Sequence, residues 1–173
     1  MAGGELLLIP LMAILARQAG GGMGAQHLHS KLTWLPEALF ALVIGIVAYK
    51  IHGPVWASVG ALTSYIFMQT GHGIAYHMGR NPKAAQGTRK QTLSIIVDPI
   101  CKALGWTLGE RPYCYLFMGI KGLLIGLAVA PWGLLMAILW PLAYDIGRIR
   151  NNETAEFLSG AFMGGVLWLA LSF

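Results

Sequence analysis

The stretch from Thr154 to Phe173 carries no charged side chain after Glu156. Its twenty residues, at about 1.5 Å of helical rise each, cover roughly the 30 Å hydrocarbon core of a bilayer. Four other stretches meet or approach that length: 35–51, 54–70, 113–130 and 131–148. Backbone N–H and C=O groups in lipid must be paired within the protein, so stretches of this kind fold as helices and not as open strands. The expected fold is therefore all-α: one integral membrane domain over 1–173, a polytopic transmembrane bundle of about five spans. Composition agrees. Of 173 residues, 56% are apolar and only 11% charged, against about 25% charged in a typical soluble domain. These values exclude a disordered tail and a disulfide-stapled secreted module, and they weigh against an ordinary soluble enzyme.

The segment 5–17 is apolar but short, and is expected as a short, tilted or half-inserted helix. A secretory signal peptide fits it poorly, because Glu5 stands where a basic n-region belongs and Arg17 falls where a cleavage motif needs a small residue.

Twelve basic residues face seven acids, a formal charge of +5. In a membrane chain the position of those charges matters more than their sum, because basic residues in short loops set orientation. The connections 17–34, 71–112 and 148–153 carry ten of the twelve, whereas the opposite side carries only Lys50 and Lys121 falls inside a span. This bias predicts cytoplasmic basic loops and a periplasmic C-terminus in a bacterial inner membrane. It also makes the lipid bilayer the partner, with no nucleic acid. Cys101 and Cys114 have no metal-like spacing and read as small buried side chains on the reducing side.

Lipid gives helices no hydrophobic drive to associate, so contact relies on small residues and hydrogen bonds. Ala41/Gly45, Ala57/Ala61, Gly122/Gly126 and Gly160/Gly164 recur at four-residue spacing. They predict a compact monomer or a tight homo-oligomer. Within 71–112, Thr88 and Gln91 have the spacing of a capping box. Leu93, Ile96, Val97, Ile100, Cys101 and Leu104 then follow one helical face. An amphipathic helix over 88–104, lying in the interface and kinked at Pro99, is expected, with Arg89 and Lys90 meeting anionic lipid head groups.

Candidate chemistry gathers at the cytoplasmic ends of the spans. His72 and His77 are five apart, about 140° around a helix, which is not the i, i+4 arrangement of a helical zinc pair. The glycines beside His72 point to a helix end, where a turn could bring the rings together. A metal site would draw on His72, His77, Asp145 and Glu156. The simpler reading leaves the histidines to water and backbone. Asp145 and Arg148 share a helical face and read either as an ion pair or, with His72 as acid/base, as a catalytic set in which Asp145 orients or binds metal and Arg148 holds phosphate. Glu153 and Glu156 open the last span, where negative charge suits the helix dipole. Lys121 must snorkel or find an acid. Glu37 stands near the start of its own span, at a depth expected to be too different for direct pairing. No P-loop, GxSxG, HExxH or aspartate-rich phosphotransferase motif occurs, and no cofactor is indicated.

The Thr70–Gly73 segment (TGHG), the Trp140–Arg148 run (WPLAYDIGR) and the Thr154–Ala161 run (TAEFLSGA) resemble small uncharacterised membrane proteins of tailed-bacteriophage and prophage genomes. The resemblance implies a host inner-membrane location and no particular mechanism. Three function classes follow: a non-enzymatic membrane protein that alters the membrane or binds a membrane partner, a lipid head-group enzyme at the cytoplasmic face, and an ion or proton pathway through Lys121, Glu37 and Asp145.

Overall fold

The computed structural model describes residues 3–22, 34–65, 94–107, 110–150 and 152–173. Every regular element among them is helical. A 3-10 turn, Gly3–Leu7, leads into α1 (Leu8–Gly22). It is followed by α2 (Trp34–His52), α3 (54–65), α4 (Ser94–Ala103), α5 (Arg111–Gly126), α6 (Met136–Arg150) and α7 (Asn152–Ser172).

Three helices among the described residues are long and apolar enough to cross a membrane: Leu35–His52, Arg111–Val129 and Thr154–Ser172. Trp132–Gly147 is apolar but shorter, and it opens with the 3-10 turn Trp132–Leu135. The 54–70 stretch is described only as far as residue 65.

Local chemistry explains where the helices stop. Gly53 takes a φ of 91°, a conformation that costs glycine nothing. Its N–H closes α2 on the Tyr49 carbonyl at 2.9 Å, and Pro54 starts the next helix with a φ already suited to it. Gly105, with φ 71°, ends α4 in a Schellman motif: Trp106 N–H bonds the Cys101 carbonyl at 2.8 Å and Gly105 N–H bonds that of Lys102 at 3.3 Å.

Packing follows the small residues. A Cβ on Gly45 would touch Ala61 Cβ at 3.0 Å and the Ala57 carbonyl at 3.2 Å, so α2 and α3 meet at two of the four-residue pairs. Gly122 and Gly126 lie against the backbone of Met136 and Gly133, and Gly147 against Ala155. Gly160 and Gly164 lie against the backbone of α1 at Met12 and at Leu8–Ile9. Through these contacts α5, α6 and α7 form an up-down-up row, and α1 runs antiparallel to α7 with Met12 and Ala16 fully buried. Phe40, Phe117, Trp140 and Tyr144 fill the interior.

The outer face reverses the rule for soluble proteins. Leu42 and Ile46 of α2 and Ile138, Leu142 and Ile146 of α6 are exposed, as expected where the surrounding medium is hydrocarbon. In α4 the apolar face divides. Val97 and Cys101 bury in the bundle while Ile96 and Ile100, and Leu104 just past the helix, stay exposed, and Asp98 accepts a 2.6 Å hydrogen bond from the Tyr113 hydroxyl of α5.

Candidate functional site

The interior holds charge. Lys121 and Glu156 are completely buried and Glu37 is 2% exposed, although each comes from a different helix (α5, α7 and α2). Both carboxylates act electrostatically on Lys121. Its Nζ has no hydrogen-bond acceptor among the described residues, but lies 4.8 Å from the centroid of the Trp140 ring on α6. Such a contact is worth ~2 kcal/mol or more once desolvated.

Helix direction explains how residues at different depths come within electrostatic reach. α2 and α5 finish at one level, where His52 Nε2 donates to the Ala130 carbonyl at 2.8 Å. Counted back from that level, Glu37 starts about 9 Å deeper toward the other end than Lys121, on a rise of 1.5 Å per residue. The Lys121 backbone stands beside Met136 and Ala137, since its neighbours Gly119 and Gly122 approach those carbonyls. Trp140 is about one turn along α6 toward the end where α5 begins. A Cα–Cβ bond tilts toward its helix N-terminus, so the lysine stem runs that way and carries the ammonium to Trp140. Direct pairing of Lys121 with Glu37 is not expected across that difference in depth; the ammonium makes no hydrogen bond to the carboxylate, which acts on it through electrostatics alone.

Glu156 and Ser159 are three apart on α7 and share a face. Both are fully buried, and the Ser159 hydroxyl and Trp140 Nε1 have no hydrogen-bond partner among the described residues. Gly160 sits one residue beyond, against α1, so the polar face and the tight α1 contact are built by the same two turns of helix. Glu156 reads from sequence as a helix-start charge; its register instead points it inward.

A second polar group marks the end where α5 begins. Arg111 Nε pairs with Asp145 Oδ1 at 3.1 Å, and the Tyr115 hydroxyl donates to Asp145 Oδ2 at 3.1 Å. Asp145 therefore has partners across the α5–α6 interface. It precedes Arg148 by three residues on α6 and follows Trp140 by five, so it stands between the cluster and the end of the bundle.

Of the catalytic set His72, Asp145 and Arg148, the first lies outside the described residues, as do His77, Arg89 and Lys90. Asp145 and Glu156, the described members of the metal set, take different partners. Among the described residues no group of three His, Cys, Asp or Glu side chains is placed to hold a metal ion.

Trp140 and Ser159 are the members that sequence reasoning missed. A polar residue one turn from Glu156 in an otherwise apolar helix was the available signal for Ser159. Trp140 reads as packing, and nothing in the chain marks it as the seat of an ammonium. Comparison with known proteins finds no matching family model, no significantly similar curated protein and no significantly similar solved structure.

Proposed function

We propose that this chain is a non-enzymatic, multi-pass membrane protein whose bundle provides a proton pathway, with Lys121, Glu37 and Glu156 as the proton-exchanging groups. One observation carries the reading: three ionisable side chains from three helices are buried in the interior of an apolar bundle, with both carboxylates acting electrostatically on the ammonium. Charged groups at such depth are costly and mark ion or proton paths by default. The stem of Lys121 is long enough to carry its ammonium between depths, and Trp140 offers it a resting face. Asp145, held by Arg111 and Tyr115, would serve as the group that passes the proton to the aqueous rim.

The topology proposed with this function has five spans, the stretches 54–70 and 131–148 joining the three long helices. The basic loops face the cytoplasm and the C-terminus faces the periplasm, with Arg89 and Lys90 against anionic head groups. The ten-to-one distribution of basic residues supports that orientation. The resemblance to phage-encoded membrane proteins supports a bacterial inner membrane as the location.

The test is proton flux into vesicles containing the purified protein, an imposed pH gradient and an enclosed pH-sensitive dye. Wild-type vesicles should dissipate the gradient faster than empty ones, and Lys121→Met should return the rate to that of empty vesicles. A wild-type rate equal to that of empty vesicles, or full flux through Lys121→Met, overturns the proposal.

A further inference from the structure

At the end of the bundle opposite Arg111, a groove of about 330 Å³ opens between α1 and α2, lined by Glu5, Leu8, Val43, Val47, Lys50 and Leu171 among others. Its volume falls within the ~300–1,000 Å³ of small-molecule sites. Both walls are graded in the same direction. On α2, Val43, Ile46, Val47 and Lys50 follow i, i+3, i+4, i+7 and form a single stripe. The stripe is apolar for three positions and ends on an ammonium at the last turn of the span. On the facing wall, Glu5 precedes Leu8 by three residues in the opposite chain direction. The carboxylate therefore sits at the same end as Lys50 and the leucine lies deeper. Val43 and Lys50 are about 10 Å apart along the helix axis, so the groove runs from head-group level well into the hydrocarbon.

We infer that this groove is a binding site for one zwitterionic phospholipid with a primary amine, of the phosphatidylethanolamine class. The gradation matches the ligand part by part. An acyl chain lies along Val43, Val47 and Leu8, the phosphate accepts from Lys50 Nζ, and the ammonium of the head group donates to the Glu5 carboxylate. A carboxylate and an ammonium at the same end of one groove select against neighbours in the same leaflet. A purely anionic phosphatidylglycerol offers Glu5 no cation, and the trimethylated nitrogen of phosphatidylcholine has no N–H to donate. This site is separate from the charge cluster, and its assignment does not depend on proton flux.

The experiment counts bound lipid by native mass spectrometry on the full chain in non-ionic detergent, titrated in turn with phosphatidylethanolamine, phosphatidylcholine and phosphatidylglycerol. One phosphatidylethanolamine should be retained about ten-fold more strongly than either other lipid, the size expected for a charge-assisted hydrogen bond. Glu5→Leu should abolish the preference over phosphatidylcholine, since it removes the acceptor. Lys50→Gln should weaken all three lipids, and Val47→Trp should block retention by filling the groove. Equal retention of the three lipids, or an unchanged preference in Glu5→Leu, overturns the inference by making the contact ordinary boundary lipid. A dimer that Val47→Trp dissociates would assign the groove to a second copy of the chain and overturn it equally.

Discussion

Lys121 on α5 places its ammonium 4.8 Å from the ring centroid of Trp140 on α6, about one helical turn from the level of its own backbone. The relation depends on the aliphatic stem reaching toward the start of α5. It brings a cation from mid-span to the depth at which two carboxylates enter from α2 and α7. The same ring packs against Phe40 with centroids 6.2 Å apart, so the indole is fixed by the core before it receives the charge.

Replacing Trp140 separates these two duties. Trp140→Ala should lower stability by about 3–5 kcal/mol, as for other buried aromatics cut to alanine. Trp140→Leu keeps apolar volume but removes the π face, and should cost less while still reducing proton flux. Thermal unfolding in detergent, run beside the vesicle assay, checks both.

Neutralising the cluster should show strong non-additivity. Removal of one partner from a buried charge pair costs about 3–5 kcal/mol because the remaining charge stays buried. Lys121→Met should therefore destabilise the bundle more than the triple variant Lys121→Met/Glu37→Gln/Glu156→Gln. Unfolding of the single and combined variants under one condition measures the difference.

The glycine contacts predict a sharp positional contrast. A side chain on Gly164 would run into the α1 backbone at Leu8 and Ile9, whereas one on Gly165 meets nothing within 4 Å. Gly164→Leu should loosen α1 from α7 at a cost of at least the ~1–3 kcal/mol of overpacking. Gly165→Leu should be nearly neutral. Proteolysis of the N-terminal helix and the unfolding midpoint report the contrast.

Cys101 is expected to be a poor nucleophile. Burial raises its thiol above the usual value of 9.0, and the neighbouring Asp98 raises it further. A raised value means less thiolate at any pH below it, so alkylation should be slow near pH 8 and accelerate as pH climbs past 9. In a Cys114→Ser background, Asp98→Asn should speed labelling slightly, and denaturant should speed it greatly.

Much of the architecture was legible in the chain. The spacing of Gly122/Gly126 and Gly160/Gly164 lands on helix contacts because close approach in lipid needs small residues wherever it occurs. The need of Lys121 for an acid was equally readable, since a lysine in a span has few alternatives. Which acid it meets was not, because that depends on the registers of α2, α5 and α7 and on the direction of the lysine stem. Glu156 shows the limit: its place in the second turn of α7 suits a helix-start charge, and only the rotation of that helix turns it toward the core. The pairing of Asp145 with Arg111, thirty-four residues earlier, likewise required the antiparallel packing of α5 on α6. Arg111 is 61% exposed in its side chain, so that pair should add at most about 1 kcal/mol.

Proton exchange by the buried groups is tested most directly by infrared difference spectroscopy of the protein in lipid, between acidic and alkaline buffer. A band from a buried carboxylic acid should appear on acidification, fall when Glu156→Gln or Glu37→Gln is introduced, and change frequency in Lys121→Met. Spectra in which neither glutamine variant alters any carboxyl band would contradict the account, because the cluster would then hold its charges without exchanging a proton.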